Sequence, residues 1–145
     1  MKFVHTNIVA RDYKALAEFY VKVFNCRQIG PARNISGEWI EIVTGVKDAK
    51  IRGCHLELPG VNDVTLEIFE YNTSFIADKL INSEGLAHIA FEVDSVEETL
   101  KRALKSGGEP LSEIQKKHYP ELDKTIEVVY IRDIEGNLIE IQKWN

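Results

Sequence analysis

One pattern occurs twice in this chain: a histidine among apolar residues, an alternating strand, an aspartate and then a helical run. It reads FVHTNIVARDY from Phe3 to Tyr13 and GLAHIAFEVDS from Gly85 to Ser95. A repeat of this kind constrains the fold more than any single element, because each copy must adopt the same supersecondary unit.

Copy one opens with a strand over Lys2 to Val9. A helix of about Tyr13 to Phe24 follows, with Leu16, Phe19, Tyr20, Val23 and Phe24 at three- and four-residue spacing and Asp12 as N-cap. Copy two opens with a strand over Leu86 to Val93 and a helix from about Val96, with Val96, Leu100, Ala103 and Leu104 on one side. There Ser95 and Glu98 form a capping box, and Gly107 and Gly108 supply the stop.

Short β-rich runs follow each helix. In copy one they are Glu38 to Val43 (EWIEIV), Ile51 to Leu58 and Val64 to Tyr71; in copy two, Leu111 to Ile114, Thr125 to Asp133 and Asn137 to Trp144, the last two joined by the turn DIEGN. The expected fold class is α+β: two pseudo-symmetric βαβββ modules forming a concave, partly closed β-sheet with flanking helices. Module one covers about residues 1–71 and module two about 85–145, within a single domain. The connection, about 72–84, carries Phe75, Ile76, Leu80 and Ile81 and is expected as a short packed helix. A unit of about seventy residues is marginal alone, so pairing answers its burial problem.

Composition narrows the partners. With 145 residues, 44% of them hydrophobic, the chain can bury a core. A net charge of -5 and a pI near 5.4 argue against a nucleic-acid surface. Cys26 and Cys54 show neither CxxC nor zinc-knuckle spacing, which fits a reduced compartment. MKFVHTNIV has no signal-peptide pattern and no run of about 18 apolar residues occurs, so a soluble, cytoplasmic protein without membrane association is expected.

Strand parity then sorts the polar residues. Val4, Thr6 and Ile8 share one face; His5, Asn7 and Val9 take the other. Likewise Ile89, Phe91 and Val93 oppose His88, so both histidines point away from their helices. In the closing strands Glu67 goes with Thr65, Phe69 and Tyr71, and Glu140 with Leu138, Gln142 and Trp144. The two glutamates thus occupy one place in the repeat, as the two histidines do. A carboxylate among strand residues is costly to bury unless paired, protonated or bound to a cation. Both glutamates sitting in water at strand ends is the alternative, which the repeat outweighs. His5, Glu67, His88 and Glu140 therefore form a candidate metal set, and two neutral imidazoles with two carboxylates suit Ni, Co, Mn, Fe or Zn better than calcium. Such an ion holding two adjacent substrate oxygens would favour proton loss beside a carbonyl, with Glu140 preferred as the base.

HTNIVARD, TLEIFEY, LAHIAFEVDS and RDIEGNLIEI resemble the four signature segments of the vicinal oxygen chelate superfamily, the glyoxalase I, bleomycin-resistance and extradiol-dioxygenase group, over essentially the whole chain. The resemblance implies paired βαβββ modules, a mononuclear metal at His5, Glu67, His88 and Glu140, and a homodimer, with the site built within one chain or across two. Glyoxalase I is similar in its ligand set and acts through an enediolate on the hemithioacetal of glutathione and methylglyoxal. The segment GVKDAKIRGCHLELPG is longer than that subfamily leads one to expect.

Two alternatives stand beside this lyase. A methylmalonyl-CoA epimerase-like isomerase would need a second acid/base carboxylate, for which Glu41 is the candidate. A non-catalytic bleomycin-resistance-type protein would bind its ligand without the metal set. Trp39, Phe69, Tyr71, Tyr130 and Trp144 are candidates to line the substrate groove, and Arg11, Arg33 and Arg52 to bind an anion, with Arg52 the weak choice as a substrate contact. His55 shares parity with Gly53 and Glu57 but carries no assigned role, and His118 lies in QKKHYPELDK, expected as a mobile loop.

Overall fold

The computed structural model describes all 145 residues and divides into two units, Met1–Ile76 and Ala77–Asn145, meeting inside the expected connection. The strands form two mixed sheets, one in each unit, and neither closes into a barrel. No helix is long and apolar enough to cross a membrane.

In the first unit, β1 (His5–Val9), α1 (Tyr13–Phe24), β2 (Arg27–Ser36), α2 (Glu38–Thr44), β3 (Lys50–Glu57) and β4 (Thr65–Tyr71) follow in order. The sheet order is β1-β4-β3-β2, with β1 parallel to β4 and the other pairs antiparallel. Helix α1 matches its expected limits. Asp12 accepts from the Lys14 and Ala15 N–H groups, an N-cap contributing about 1 kcal/mol. Leu16, Phe19, Tyr20, Val23 and Phe24 are buried along one stripe, and on the sheet Cys54, Leu56, Leu66 and Ile68 are buried as well.

The EWIEIV segment is a correction: it forms helix α2, and the additional strand is β2, RQIGPARNIS, which was not expected. Glu38 and Glu41 sit in the first turn of α2, where carboxylates favour the helix N-terminus. Gly45 (φ 71°) closes its end through a bond to the Glu41 carbonyl. Only Ile40 of α2 is buried, in a cluster with Ala49 and Ile51 against which Ile35, Phe69 and Tyr71 pack. In β2, Gly30 and Pro31 interrupt the alternation that marks a strand. They are tolerated there because β2 is an edge strand with an irregularity between Ile29 and Arg33.

The second unit contains β5 (Ile89–Glu92), α3 (Val96–Lys105), β6 (Glu109–Pro110), β7 (Gln115–Tyr119), β8 (Lys124–Arg132) and β9 (Leu138–Trp144), in the sheet order β5-β9-β8-β6 with β7 also pairing β8. Strand β5 is shorter than expected, since its parallel ladder begins at Ile89 opposite Ile139 and His88 immediately precedes it. Ser95 caps α3 by accepting from the Glu98 N–H. Gly108 N–H bonds to Ala103 O and Gly107 N–H to Leu104 O, a Schellman ending. Thr99 is buried with Val96 and Ala103, whereas Leu104, expected on the packed side, is 45% exposed.

Three further expectations are corrected. The 72–84 connection holds no helix, and its Phe75 and Ile76 are 93% and 90% exposed. Leu111 to Ile114 separates β6 from β7. The QKKHYPELDK segment is β7 with the turn that pairs it to β8, not a loop. The DIEGN turn is built on buried Asp133, whose carboxylate accepts from the Glu135 and Asn137 N–H groups and the Asn137 side chain. That turn holds β8 and β9 in the register that sets Tyr130 opposite Glu140.

Candidate functional site

Each sheet brings one of the two histidine–glutamate pairs together. In the first unit β1 and β4 run parallel with Asn7 opposite Glu67, and His5 lies two residues before Asn7. In the second, β5 and β9 run parallel with Ala90 opposite Glu140, and His88 lies two residues before Ala90. The repeat inferred from the sequence is thus kept to the residue in strand register.

His5 Nε2 is 3.5 Å from Glu67 Oε2, and His88 Nε2 is 3.1 Å from Glu140 Oε2. Glu67 is 9% exposed between Leu66 and Ile68, both fully buried on the opposite face. Its Oε2 also accepts from Asn7 Nδ2 at 3.4 Å. In the second unit His88 Nδ1 is buried without a partner, so Nε2 is the nitrogen that meets the carboxylate.

The same registers add a third residue to each pair: His55, to which sequence reasoning assigned no role, and Tyr130, expected only as a groove-lining aromatic. His55 on β3 lies opposite Glu67, with Nε2 3.4 Å from Oε1. Tyr130 on β8 lies opposite Glu140 and donates its hydroxyl to Oε2 at 2.8 Å. The only signal in the sequence was parity, which His55 shares with many strand residues. Its neighbour across the ladder depends on how the β3–β4 connection closes.

Local electrostatics follow from these contacts. Burial holds the His55 imidazole below the usual histidine range, with Arg33 and His5 adding to the effect and Glu67 opposing it. The neutral ring accepts a hydrogen bond from Arg33 Nε at 3.3 Å. Burial, the hydrogen bond to Glu140 and the charge of that carboxylate together push the Tyr130 hydroxyl up to about 12. Cys26 and Cys54 are free and buried, and burial pushes the Cys26 thiol up to about 12.

Other expected site residues are placed differently. Trp39 and Glu41, expected on a strand, belong to α2, and Trp39 is 66% exposed. Phe69 and Tyr71 pack against the Ile40, Ala49 and Ile51 cluster, and the Phe69 ring also meets His55 edge-on at 5.8 Å. Arg52 forms an ion pair with Glu70. The Trp144 ring packs on Tyr119 at 5.7 Å, and His118 Nδ1 is 3.2 Å from the Thr125 hydroxyl.

Chemically, the first unit sets the imidazoles of His5 and His55 against the two oxygens of Glu67 and the second sets His88 against one oxygen of Glu140, nitrogen and oxygen donors of the kind that suit first-row divalent ions. No group of three His, Cys, Asp or Glu side chains is drawn together closely enough to hold a metal ion.

Residues 2–141 match the family described as Glyoxalase/Bleomycin resistance protein/Dioxygenase superfamily. Among solved structures, a glyoxalase family protein from Bacillus cereus is similar at 24% identity, covering 99% of this chain and 93% of that one, with a TM-score of 0.77. A glyoxylase/bleomycin resistance protein/dioxygenase domain from Frankia sp. EAN1pec is similar at 17% identity over 100% and 98%, with a TM-score of 0.68. A glyoxalase family protein from Enterococcus faecalis is similar at 20% identity over 97% and 96%, with a TM-score of 0.65. At these identities the structures share the fold. No functionally curated protein matches the chain.

Proposed function

The chain belongs to the glyoxalase/bleomycin resistance protein/dioxygenase superfamily, and on that footing we propose that it is a divalent-metal-dependent lyase or isomerase of the glyoxalase I type, acting on a small substrate through two adjacent oxygens. One observation carries this reading: an imidazole faces a carboxylate at the same strand register in both sheets. A repeat that preserved only packing would have no need to keep both polar pairs.

The donor chemistry fits a bound ion. His5, Glu67, His88 and Glu140 would hold Ni, Co, Mn, Fe or Zn, either within one chain or across a homodimer in the cytoplasm. When bound, such an ion supplies a Lewis acid that stabilises the charge left when a proton departs from carbon beside a carbonyl.

The chain's own residues divide the remaining work. Both oxygens of Glu67 have neighbours, His55 at Oε1 and His5 with Asn7 at Oε2. In Glu140, His88 and Tyr130 both address Oε2, and Oε1 has no partner. Glu140 Oε1 is thus the carboxylate oxygen available to take the substrate proton, with Tyr130 fixing the orientation of the group. The epimerase alternative draws no support from Glu41, which lies on α2.

Metal analysis of protein purified without chelator, followed by assay of the metal-loaded protein, tests the proposal. Bound metal and turnover of the methylglyoxal–glutathione adduct are expected. Turnover of methylmalonyl-CoA alone would favour the epimerase. Absence of metal, with no uptake of added Ni, Co, Mn or Zn, would leave the bleomycin-resistance-type binding protein.

A further inference from the structure

We propose that Arg33 is an anion anchor, and hence that the substrate carries a carboxylate or phosphate-type group close to its reacting oxygens. The inference rests on the reading above for the reaction, but the anion contact itself requires no metal.

Arg33 is aimed by an irregularity in its own strand. Ile29 lies opposite His55 and Arg33 opposite Gly53, so four steps along β2 match two along β3. The two additional residues, in a segment containing Gly30 (φ 65°) and Pro31, bring Arg33 back into register on the face that carries His55 and Glu67. Gly53 has no side chain to compete for space there. A Cβ at that position would strike the Phe69 ring and the Ile68 carbonyl, so the ring lies over the glycine.

The guanidinium is held but not neutralised. Arg33 Nε donates to His55 Nε2 at 3.3 Å, and His55 is in turn 3.4 Å from Glu67 Oε1. Both Nη groups of Arg33 are without partners. The other arginines are engaged within the protein: Arg27 with Glu57, Arg52 with Glu70, Arg132 with the Lys79 and Gly136 carbonyls, Arg102 with Thr99, and Arg11 also has a protein partner. A guanidinium stays charged at every physiological pH, and its paired N–H groups match the two oxygens of a carboxylate or phosphate. An imidazole that fixes Nε lowers the ordering cost of that match, because the side chain is oriented before the anion arrives.

The test follows the Arg Nε–H signals by NMR in metal-free protein during separate titrations with inorganic phosphate and with lactate. The Arg33 signal should shift saturably with at least one anion. Arg33→Gln should weaken that binding by about tenfold or more, Arg33→Lys by less, and Arg27→Gln not at all. A silent Arg33 signal, or unchanged binding by Arg33→Gln, overturns the proposal. Response to lactate alone identifies a carboxylate substrate; response to phosphate alone identifies a phosphate ester or phosphonate. Metal uptake is measured on the same samples. Anion binding without metal uptake would sink the lyase reading and leave the anchor, whereas metal uptake with no Arg33 response would do the reverse.

Discussion

Glu140 lies directly opposite Tyr130 across the β8–β9 ladder and accepts its hydroxyl at 2.8 Å, just as Glu67 lies opposite His55 across β3–β4. Each glutamate of the repeat therefore meets a histidine from the parallel strand side and a second polar ring from the antiparallel one, and Glu67 accepts from Asn7 as well. The rings differ, and the consequences for the two carboxylates differ with them.

The Tyr130 hydroxyl titrates higher in the folded protein than in the unfolded chain, moving from 10.0 to about 12. Its contribution to stability is complete below the unfolded value and is lost as pH rises from about 10 towards 12. Tyr130 is partly solvated, so screening reduces the effect to about 1 kcal/mol. Urea denaturation of wild type and Tyr130→Phe should therefore converge as the pH is raised through that window. Parallel stability profiles would show that Glu140 does not hold the proton on Tyr130.

Glu140→Gln retains the shape and the Tyr130 contact but removes the base. Turnover should fall by about 10²–10⁴, with metal affinity reduced only in part. Glu67→Gln should weaken metal binding comparably and spare more of kcat. Full activity in Glu140→Gln would exclude it from proton transfer.

Asp133→Ala deletes three hydrogen bonds to a buried carboxylate at the tip of the β8–β9 hairpin. The expected loss is about 2–3 kcal/mol in denaturant unfolding. Asp133→Asn, which preserves part of the acceptor geometry, should lose less. Equal stability of the alanine variant would mean that strand pairing alone sets the register.

Gly53→Ala should destabilise the first unit by about 1–3 kcal/mol, because the new methyl meets the Ile68 carbonyl as well as the Phe69 ring. Combining it with Phe69→Ala removes only the flexible obstacle. The double variant should therefore remain less stable than Phe69→Ala alone, as measured by thermal unfolding.

Much of the fold was legible because it depends on short-range periodicity. The buried stripe of α1, the Asp12 and Ser95 caps, and the Gly107–Gly108 ending each follow from residues within a few positions of one another. The parity of His5, Glu67, His88 and Glu140 followed from alternation. What failed was local ambiguity: EWIEIV is too short for its apolar residues to separate helix from strand, and Gly30 and Pro31 concealed β2.

The sequence by itself determined that two copies of one unit exist and which polar residues share the strand face away from the helix, since both are properties of order and period. Tertiary structure alone decided the company those residues keep. Opposition of His55 to Glu67, opposition of Tyr130 to Glu140, and the return of Arg33 to the same face all depend on ladder register. Register is set by turn closure and strand irregularities acting between distant segments, and a one-residue slip would send each side chain to the other face.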